Sequence, residues 1–154
     1  MVRLEDMNPQ MAGHLENVPC HAFDTHPWVN GPSLSKRRVA VISTAGLHLR
    51  DDRPFTRDTG DLYRVIPGDV SAADLVMSHV SVNFDRSGFF QDWNVVFPID
   101  RLREFAEEGI IGTVADFHYS FMGADDPMRW EQPARQLAGL LKKDRVDAVL
   151  LIPV

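Results

Sequence analysis

The spacing of apolar residues divides the chain into an irregular arm and a region of strands and helices. Residues 1–35 contain Pro9, Pro19, Pro27 and Pro32 and show neither a two-residue nor a 3.6-residue period. This pattern predicts an extended arm, with one helical turn near residues 8–15. Three later apolar runs lack polar alternation, as strands buried on both faces of a parallel sheet do: Arg38–Thr44, Asp74–Ser78 and Val146–Ile152.

Two helices are predicted among these strands. Pro98–Gly109 begins with proline and ends at a glycine suited to the left-handed position, with Ile110 placed to contact Phe105. Its buried face is predicted to comprise Ile99, Leu102, Phe105 and Ala106. A second helix starts near Pro133, with a buried stripe of Ala134, Leu137, Ala138 and Leu141.

A short alternating segment, Tyr63–Ile66, completes the predicted sheet as an edge strand. Because the second helix is followed by a strand, the connection is a parallel crossover. The predicted fold of residues 36–154 is therefore α/β, an open and mainly parallel sheet with flanking helices of the Rossmann or flavodoxin type. Residues 1–35 are the N-terminal arm of this domain.

Composition narrows the classes of function. The 154 residues suffice for one domain, and the formal charge of −6 argues against a general nucleic-acid binder. No apolar run approaches the roughly 20 residues that cross a bilayer, and the polar N-terminus does not resemble a secretory signal. The cytoplasm is the expected compartment. Cys20 is the one cysteine, and a free thiol is favoured over a metal cluster with His21 and His26.

The carboxyl ends of the predicted strands suggest where chemistry occurs, since ligands of open α/β sheets bind outside these ends. Thr44, His79 and Val154 are expected to converge there. Thr44 and Gly46 are candidate substrate contacts, although a tight turn also explains them. His79 is a candidate general base, metal ligand or partner of a thiolate, and a structural histidine is the alternative.

Further candidates flank the first helix. Asp85 is a candidate catalytic residue that orients His79 or binds a cation together with it, although loop acids are more often turn residues. Asn94 is interpreted as a cap or as a contact to a substrate amide. His118 is a candidate catalytic residue and Tyr119 a candidate substrate contact, both lining a pocket opposite His79. A mononuclear metal site of His79, Asp85 and His118 is conceivable but disfavoured, because the spacing is irregular and no HExxH-type helix supports it. The sequence identifies no cofactor.

Four blocks resemble the selenoprotein B component of the glycine/sarcosine/betaine and D-proline reductases. They begin at Arg38, Asp92, His118 and Val146, and Asp92–Gly112 is the most specific. The resemblance spans Lys36–Val154 and implies an α/β fold. In that family a selenocysteine or cysteine motif follows the final strand, attacks the substrate and drives reductive cleavage of a carbon–nitrogen bond. Cys20 does not match that position.

The resemblance implies an oxidoreductase subunit or domain that acts on a small amino-acid-like substrate. Its thiol or selenol would come from residues beyond Val154 or from a partner chain. Two alternatives remain: an enzyme without a thiol that uses His79 and Asp85 in metal-dependent or acid–base chemistry, and a non-catalytic subunit of a larger complex. The expected partners are a small-molecule substrate and either further copies of the chain or another subunit, with no nucleic acid or membrane.

Overall fold

The computed structural model describes residues 3–18, 22, 24–56, 62–81, 85–123 and 126–154. Contacts divide the chain into two compact units, Met1–Asn30 and Gly31–Val154. The first unit contains helix α1, Pro9–Glu16, which begins where the Asn8 side chain accepts the Gln10 N–H at 2.9 Å. The helical turn predicted near residues 8–15 is thus present. Cys20 and His21 lie outside the described residues, so the predicted free thiol stays a prediction.

The second unit is built around strand β1, Arg38–Ser43. Strand β7, Ala148–Ile152, runs parallel to β1 along one side. Strands β5, Thr113–Val114, and β6, Phe117–Phe121, succeed each other along its other side and are also parallel to it. Strand β3, Tyr63–Pro67, pairs antiparallel with β6. The order β3–β6–β1–β7 confirms the α/β class, while the finer Rossmann or flavodoxin comparison stays a prediction.

Two predictions about strands are wrong. The run after Asp74 forms β4, Leu75–Met77, which pairs antiparallel with β2, Leu47–Leu49, in a separate two-stranded sheet. The sequence predicts β4 in the parallel sheet. An apolar run of three residues, however, has the same pattern in a parallel and in an antiparallel sheet. The sequence predicts β7 as a central strand buried on both faces. Within the described residues β7 pairs with β1 alone, and Leu151 is 67% exposed, so β7 lies at an edge of the sheet.

Helix α3, Ile99–Glu107, ends as the sequence predicts. The Ile110 N–H donates to the Phe105 carbonyl at 2.9 Å and the Gly109 N–H to Ala106 at 3.1 Å, which is the Schellman pattern. Gly109 has φ +71°, the left-handed value that this position requires. Phe105 is 42% exposed, so its predicted place on the buried face is wrong; Ile99 and Leu102 are buried.

The sheet has one apolar core on each face. The larger core joins α3 to β1 and β3 through Ile99, Leu102, Val41 and Ile66. The second core joins Tyr119 and Phe121 of β6 to Leu137 of helix α4, Glu131–Lys143. The predicted stripe of α4 is corrected in part: Ala134 and Ala138 are exposed, while Leu140 and Leu141 pack against this core.

The loop before α3 also contains a short helix, α2, Ser87–Gln91. The sequence of residues 80–93 shows no clear period, so it does not predict this helix. None of the helices in the described parts of the chain has the length and apolar character needed to cross a membrane.

Candidate active site

The ends of β1 and β7 meet at Thr44 and Val154. The Thr44 N–H donates to the Ile152 carbonyl at 3.1 Å, and the Val154 N–H donates to Thr44 Oγ1 at 2.7 Å. Thr44 Oγ1 also donates to the Val154 carbonyl at 3.2 Å. Gly123 lies against both residues, since a Cβ there would come within 2.7 Å of the Val154 carbonyl oxygen. The structure therefore brings these strand ends together without space for a side chain at Gly123.

His79 reaches the same edge by a route that the sequence did not indicate. Because β4 runs antiparallel to β2, the end of β4 lies beside the start of β2. The Ser78 N–H donates to the Gly46 carbonyl at 3.0 Å, and Gly46 has φ +67°. A Cβ on Gly46 would lie 3.0 Å from the His79 backbone nitrogen. Gly46 is therefore required both by its backbone angle and by its closeness to His79.

The hydrogen bonds of His79 indicate which ring nitrogen holds the proton of the neutral side chain. The Ser81 N–H donates to His79 Nδ1 at 3.2 Å, which leaves the ring proton on Nε2. His79 is 5% exposed; burial and then the positive charge of Arg86 lower its pKa. The Arg86 guanidinium also donates to the carbonyls of His79 and Ser81. The Ser81 contact leaves Nε2 as the hydrogen-bond donor of a neutral His79 ring, and the catalytic role of His79 stays a prediction.

Two further candidates, Asp85 and Asn94, lie close to the starts of helices α2 and α3. Asp85 is exposed and accepts the N–H and hydroxyl of Ser87 at 2.9 and 2.7 Å, which lower its pKa. Asn94 Oδ1 accepts the Asp100 N–H at 3.1 Å, so its side chain caps the start of α3. The cap interpretation of Asn94 thus describes its contacts, and substrate roles for both residues stay predictions.

His118 lies in the apolar core. It is fully buried, its ring meets Phe97 edge-on at 5.8 Å between centroids, and its Nδ1 accepts the Val41 N–H at 2.9 Å. On this side of β1, β5 pairs with the start of the strand and β6 with its end. Val41 lies between the two paired stretches, and His118 supplies the acceptor for its backbone N–H. Burial lowers the pKa of His118 to about 4. The described contacts of this side chain are structural.

Tyr119 belongs to the opposite face of the sheet. Successive side chains of a strand alternate between faces, so His118 and Tyr119 cannot line one pocket from an inner strand. Tyr119 is 2% exposed, contacts Tyr63 edge-on with centroids 6.0 Å apart, and has a pKa raised by burial. The expectation that both residues line a pocket opposite His79 is wrong for this reason.

Two side chains near the site were not predicted. Arg86 holds the loop after β4 through the carbonyls described above, but the sequence suggested only a turn there. His48 of β2 is 3% exposed, and its Nδ1 donates to the Leu49 carbonyl at 2.7 Å. Nε2 of His48 is also buried and has no hydrogen-bond partner within the described ranges. No periodic signal marks either residue.

No group of three or more His, Cys, Asp or Glu side chains within the described ranges is arranged to hold a metal ion. His79, Asp85 and His118, the combination considered from the sequence, do not form such a group. The edge is instead built from hydroxyl, backbone and imidazole groups around the ends of β1, β4 and β7. It offers hydrogen-bond donors rather than a ligand set.

Comparison with known proteins identifies relatives of this chain. A family model described as glycine/sarcosine/betaine reductase selenoprotein B matches residues 28–153, beginning somewhat before the resemblance noted at Lys36. The chain is 38% identical over 120 residues to the D-proline reductase subunit gamma of Acetoanaerobium sticklandii, covering 77% of this chain and 49% of the relative. No solved structure gives a significant match.

Two further relatives are components of other reductases. The chain is 29% identical over 123 residues to the betaine reductase complex component B subunit beta of Peptoclostridium acidaminophilum, covering 77% of this chain and 28% of that one. It is 29% identical over 141 residues to the glycine reductase complex component B subunit gamma of Symbiobacterium thermophilum, covering 86% and 32%. The chain spans about half or less of the length of these relatives.

Proposed function

Because this chain belongs to the glycine/sarcosine/betaine reductase selenoprotein B family, we propose that it is a subunit or domain of a reductase acting on a small amino-acid-like substrate. Its thiol or selenol is supplied by residues that follow Val154 or by a partner chain. Relatives are named as D-proline, betaine and glycine reductase components, and these compounds are the first substrates to test.

The observation that carries this proposal is the meeting of strand ends at Thr44. Val154 is held by two hydrogen bonds to the Thr44 side chain, so a reactive residue carried directly after Val154 would enter the sheet at this edge. His79 lies at the same edge beside Gly46. A neutral imidazole N–H and the nearby charge of Arg86 both favour a thiolate over a thiol.

In this proposal His79 donates a hydrogen bond through Nε2 to the thiolate or to an oxygen of the substrate. Donation from a fixed group lowers the energy of the anion without requiring His79 to take up a proton. Thr44 and Gly46 shape the space in which the substrate meets the nucleophile. Arg86 is a positioning residue that holds the segment between His79 and Ser81.

The test uses the native assembly that contains this chain, supplied with a dithiol reductant and with D-proline, glycine, sarcosine or betaine. We expect reductive carbon–nitrogen cleavage of at least one compound. His79→Gln retains a side-chain N–H donor and should keep much of kcat, whereas His79→Leu should lower it by about 10²-fold or more. Equal activity of the two variants would exclude the donor role, and cleavage of none of the four compounds would refute the proposed function.

A second candidate is a non-catalytic subunit that stabilises a larger complex. It is favoured by β7, where Val149, Leu150 and Leu151 are 38%, 37% and 67% exposed within this chain. Side chains on both faces of an apolar strand are thus uncovered, an arrangement that another polypeptide commonly protects. Sedimentation velocity at high concentration would show association if this role holds, and a strict monomer would count against it.

A further inference from the structure

A groove on the α4 side of the sheet lies away from the candidate active site. It encloses about 370 Å³, within the range of small-molecule sites. Its apolar wall is formed by Val65, Phe117, Tyr119 and Leu140. Val65 and Phe117 are 40% and 46% exposed, so apolar surface is open to solvent here. The start of β6 and the end of α4 border the groove, whereas Thr44 follows the end of β1.

The charges around the groove are unequal. The two carboxylates, Asp116 and Asp144, both form ion pairs with Arg38. Asp144 also accepts the N–H groups of Asp116 and Phe117 at 2.9 and 3.1 Å. Burial alone would raise the pKa of Asp144, but these hydrogen bonds, led by that from Arg38, lower it. Arg38 therefore offsets one of the two carboxylate charges, and these three groups together keep a net charge of −1.

Two cations remain on the rim. Lys143 and Arg145 line the groove, and neither side chain forms an ion pair within the described parts of the chain. An apolar wall beside two such cations is complementary to a molecule that has an apolar body and a negative charge. Together with Arg38, three cations face two carboxylates, so the local charge is +1 although the whole chain carries −6.

The backbone at Arg145 provides an independent observation. The end of α4 has the same Schellman pattern as α3, with Val146 N–H donating to Leu141 at 2.9 Å and Arg145 N–H to Lys142 at 3.1 Å. Helix α3 has Gly109 at the left-handed position, with φ +71°, whereas α4 has Arg145, with φ 54°. A non-glycine residue is strained there, and such strain concentrates at functional sites.

We propose that this groove binds a small carboxylate with an aromatic or aliphatic body. The body lies against Phe117, Tyr119 and Leu140, and the carboxylate pairs with Lys143 and Arg145. Arg145 is retained at a strained position because its guanidinium completes the site. This site is separate from the proposed reductase edge, so either can fail without the other.

The experiment measures binding of 3-phenylpropionate to the full chain by isothermal titration and by ¹H–¹⁵N chemical-shift mapping. The neutral analogue 3-phenylpropanamide has the same body without the charge. We expect shifts centred on Phe117, Tyr119 and Arg145, and weaker binding of the amide. The variant Lys143→Gln should raise Kd about fivefold, the value of one charge-assisted contact. Lys142→Gln is the matched control, because Lys142 does not border the groove.

Arg145→Gly gives the sharpest result. Glycine relieves the left-handed strain, so this variant should have a higher Tm than the parent chain while its Kd rises about fivefold. Increased stability with weaker binding cannot be attributed to poor folding. The proposal is overturned if 3-phenylpropionate does not bind, if the amide binds equally well, or if Lys143→Gln and Arg145→Gly bind as tightly as Lys142→Gln.

Discussion

The fully buried His118 predicts a specific dependence of stability on pH. Its Nδ1 accepts the Val41 N–H, and burial lowers its pKa to about 4 in the folded chain, against 6.5 as its ordinary value. Protonation would place a second N–H against that of Val41 inside an apolar core. The unfolded chain therefore binds the proton more readily, and stability falls as pH decreases below about 6.5.

The magnitude follows from the two pKa values. One pKa unit corresponds to about 1.4 kcal/mol, so a difference of about 2.5 units removes roughly 3 kcal/mol once the pH is below 4. By pH 5 the loss is already about 2 kcal/mol, because the unfolded histidine is almost fully protonated there and the folded one is not. At pH 7 the contribution is close to zero.

The assay compares urea unfolding of the parent chain and of His118→Asn between pH 4.5 and 8. Asparagine Oδ1 is the same number of bonds from Cβ as histidine Nδ1, so the variant keeps an acceptor for Val41 but does not titrate. The smaller side chain adds a constant loss of stability from the cavity it leaves. Other titrating groups, including His79 and the carboxylates, are common to both proteins and cancel in the difference.

We expect the parent chain to lose about 2 kcal/mol relative to His118→Asn between pH 7 and pH 5. His118→Leu should be less stable than His118→Asn at every pH, because it leaves the buried Val41 N–H without an acceptor, at a cost of about 1–3 kcal/mol. Parallel pH profiles for the parent and the asparagine variant would refute the reasoning, since they would mean that His118 titrates alike in both states.

Two further predictions concern packing and ion pairs. Gly123→Ala should lose roughly 1–3 kcal/mol, because its Cβ would lie 2.7 Å from the Val154 carbonyl oxygen, whereas the control Gly139→Ala in α4 has nothing within 4 Å. Thermal denaturation should show the control gaining up to about 1 kcal/mol, and equal effects would contradict the close contact. Asp144→Asn should cost about 2–3 kcal/mol, because its side chain is 7% exposed and pairs with Arg38, itself 17% exposed. Asp116→Asn removes a carboxylate that is 75% exposed and pairs with the same guanidinium, so it should change the free energy of unfolding by under about 1 kcal/mol.

Local signals in the sequence were sufficient for the main elements. The proline and glycine around α3 predicted both its ends, and the apolar run of β1 predicted the central strand, because each signal depends on neighbouring residues alone. The family resemblance is confirmed by the match over residues 28–153. These features do not depend on which distant segments come together.

The site could be predicted less well because it depends on pairing between distant segments. The sequence could not distinguish a parallel from an antiparallel partner for β4, and His79 reaches the predicted edge through antiparallel pairing with β2. His118 and Tyr119 were grouped because they are adjacent, but an inner strand sends adjacent side chains to opposite faces. Arg86 was missed because its role is to bind backbone carbonyls of a loop, which no periodic pattern reveals.

The central claim is that a thiol or selenol acts at the edge formed by Thr44, Val154 and His79. The most direct measurement is intact-mass spectrometry of the native protein and its associated chains, before and after alkylation with iodoacetamide. We predict a reactive cysteine or selenocysteine, on this polypeptide beyond Val154 or on a stoichiometric partner, that substrate protects from alkylation. A native chain that ends at Val154, has no thiol-bearing or selenol-bearing partner and binds no amino acid would contradict the account.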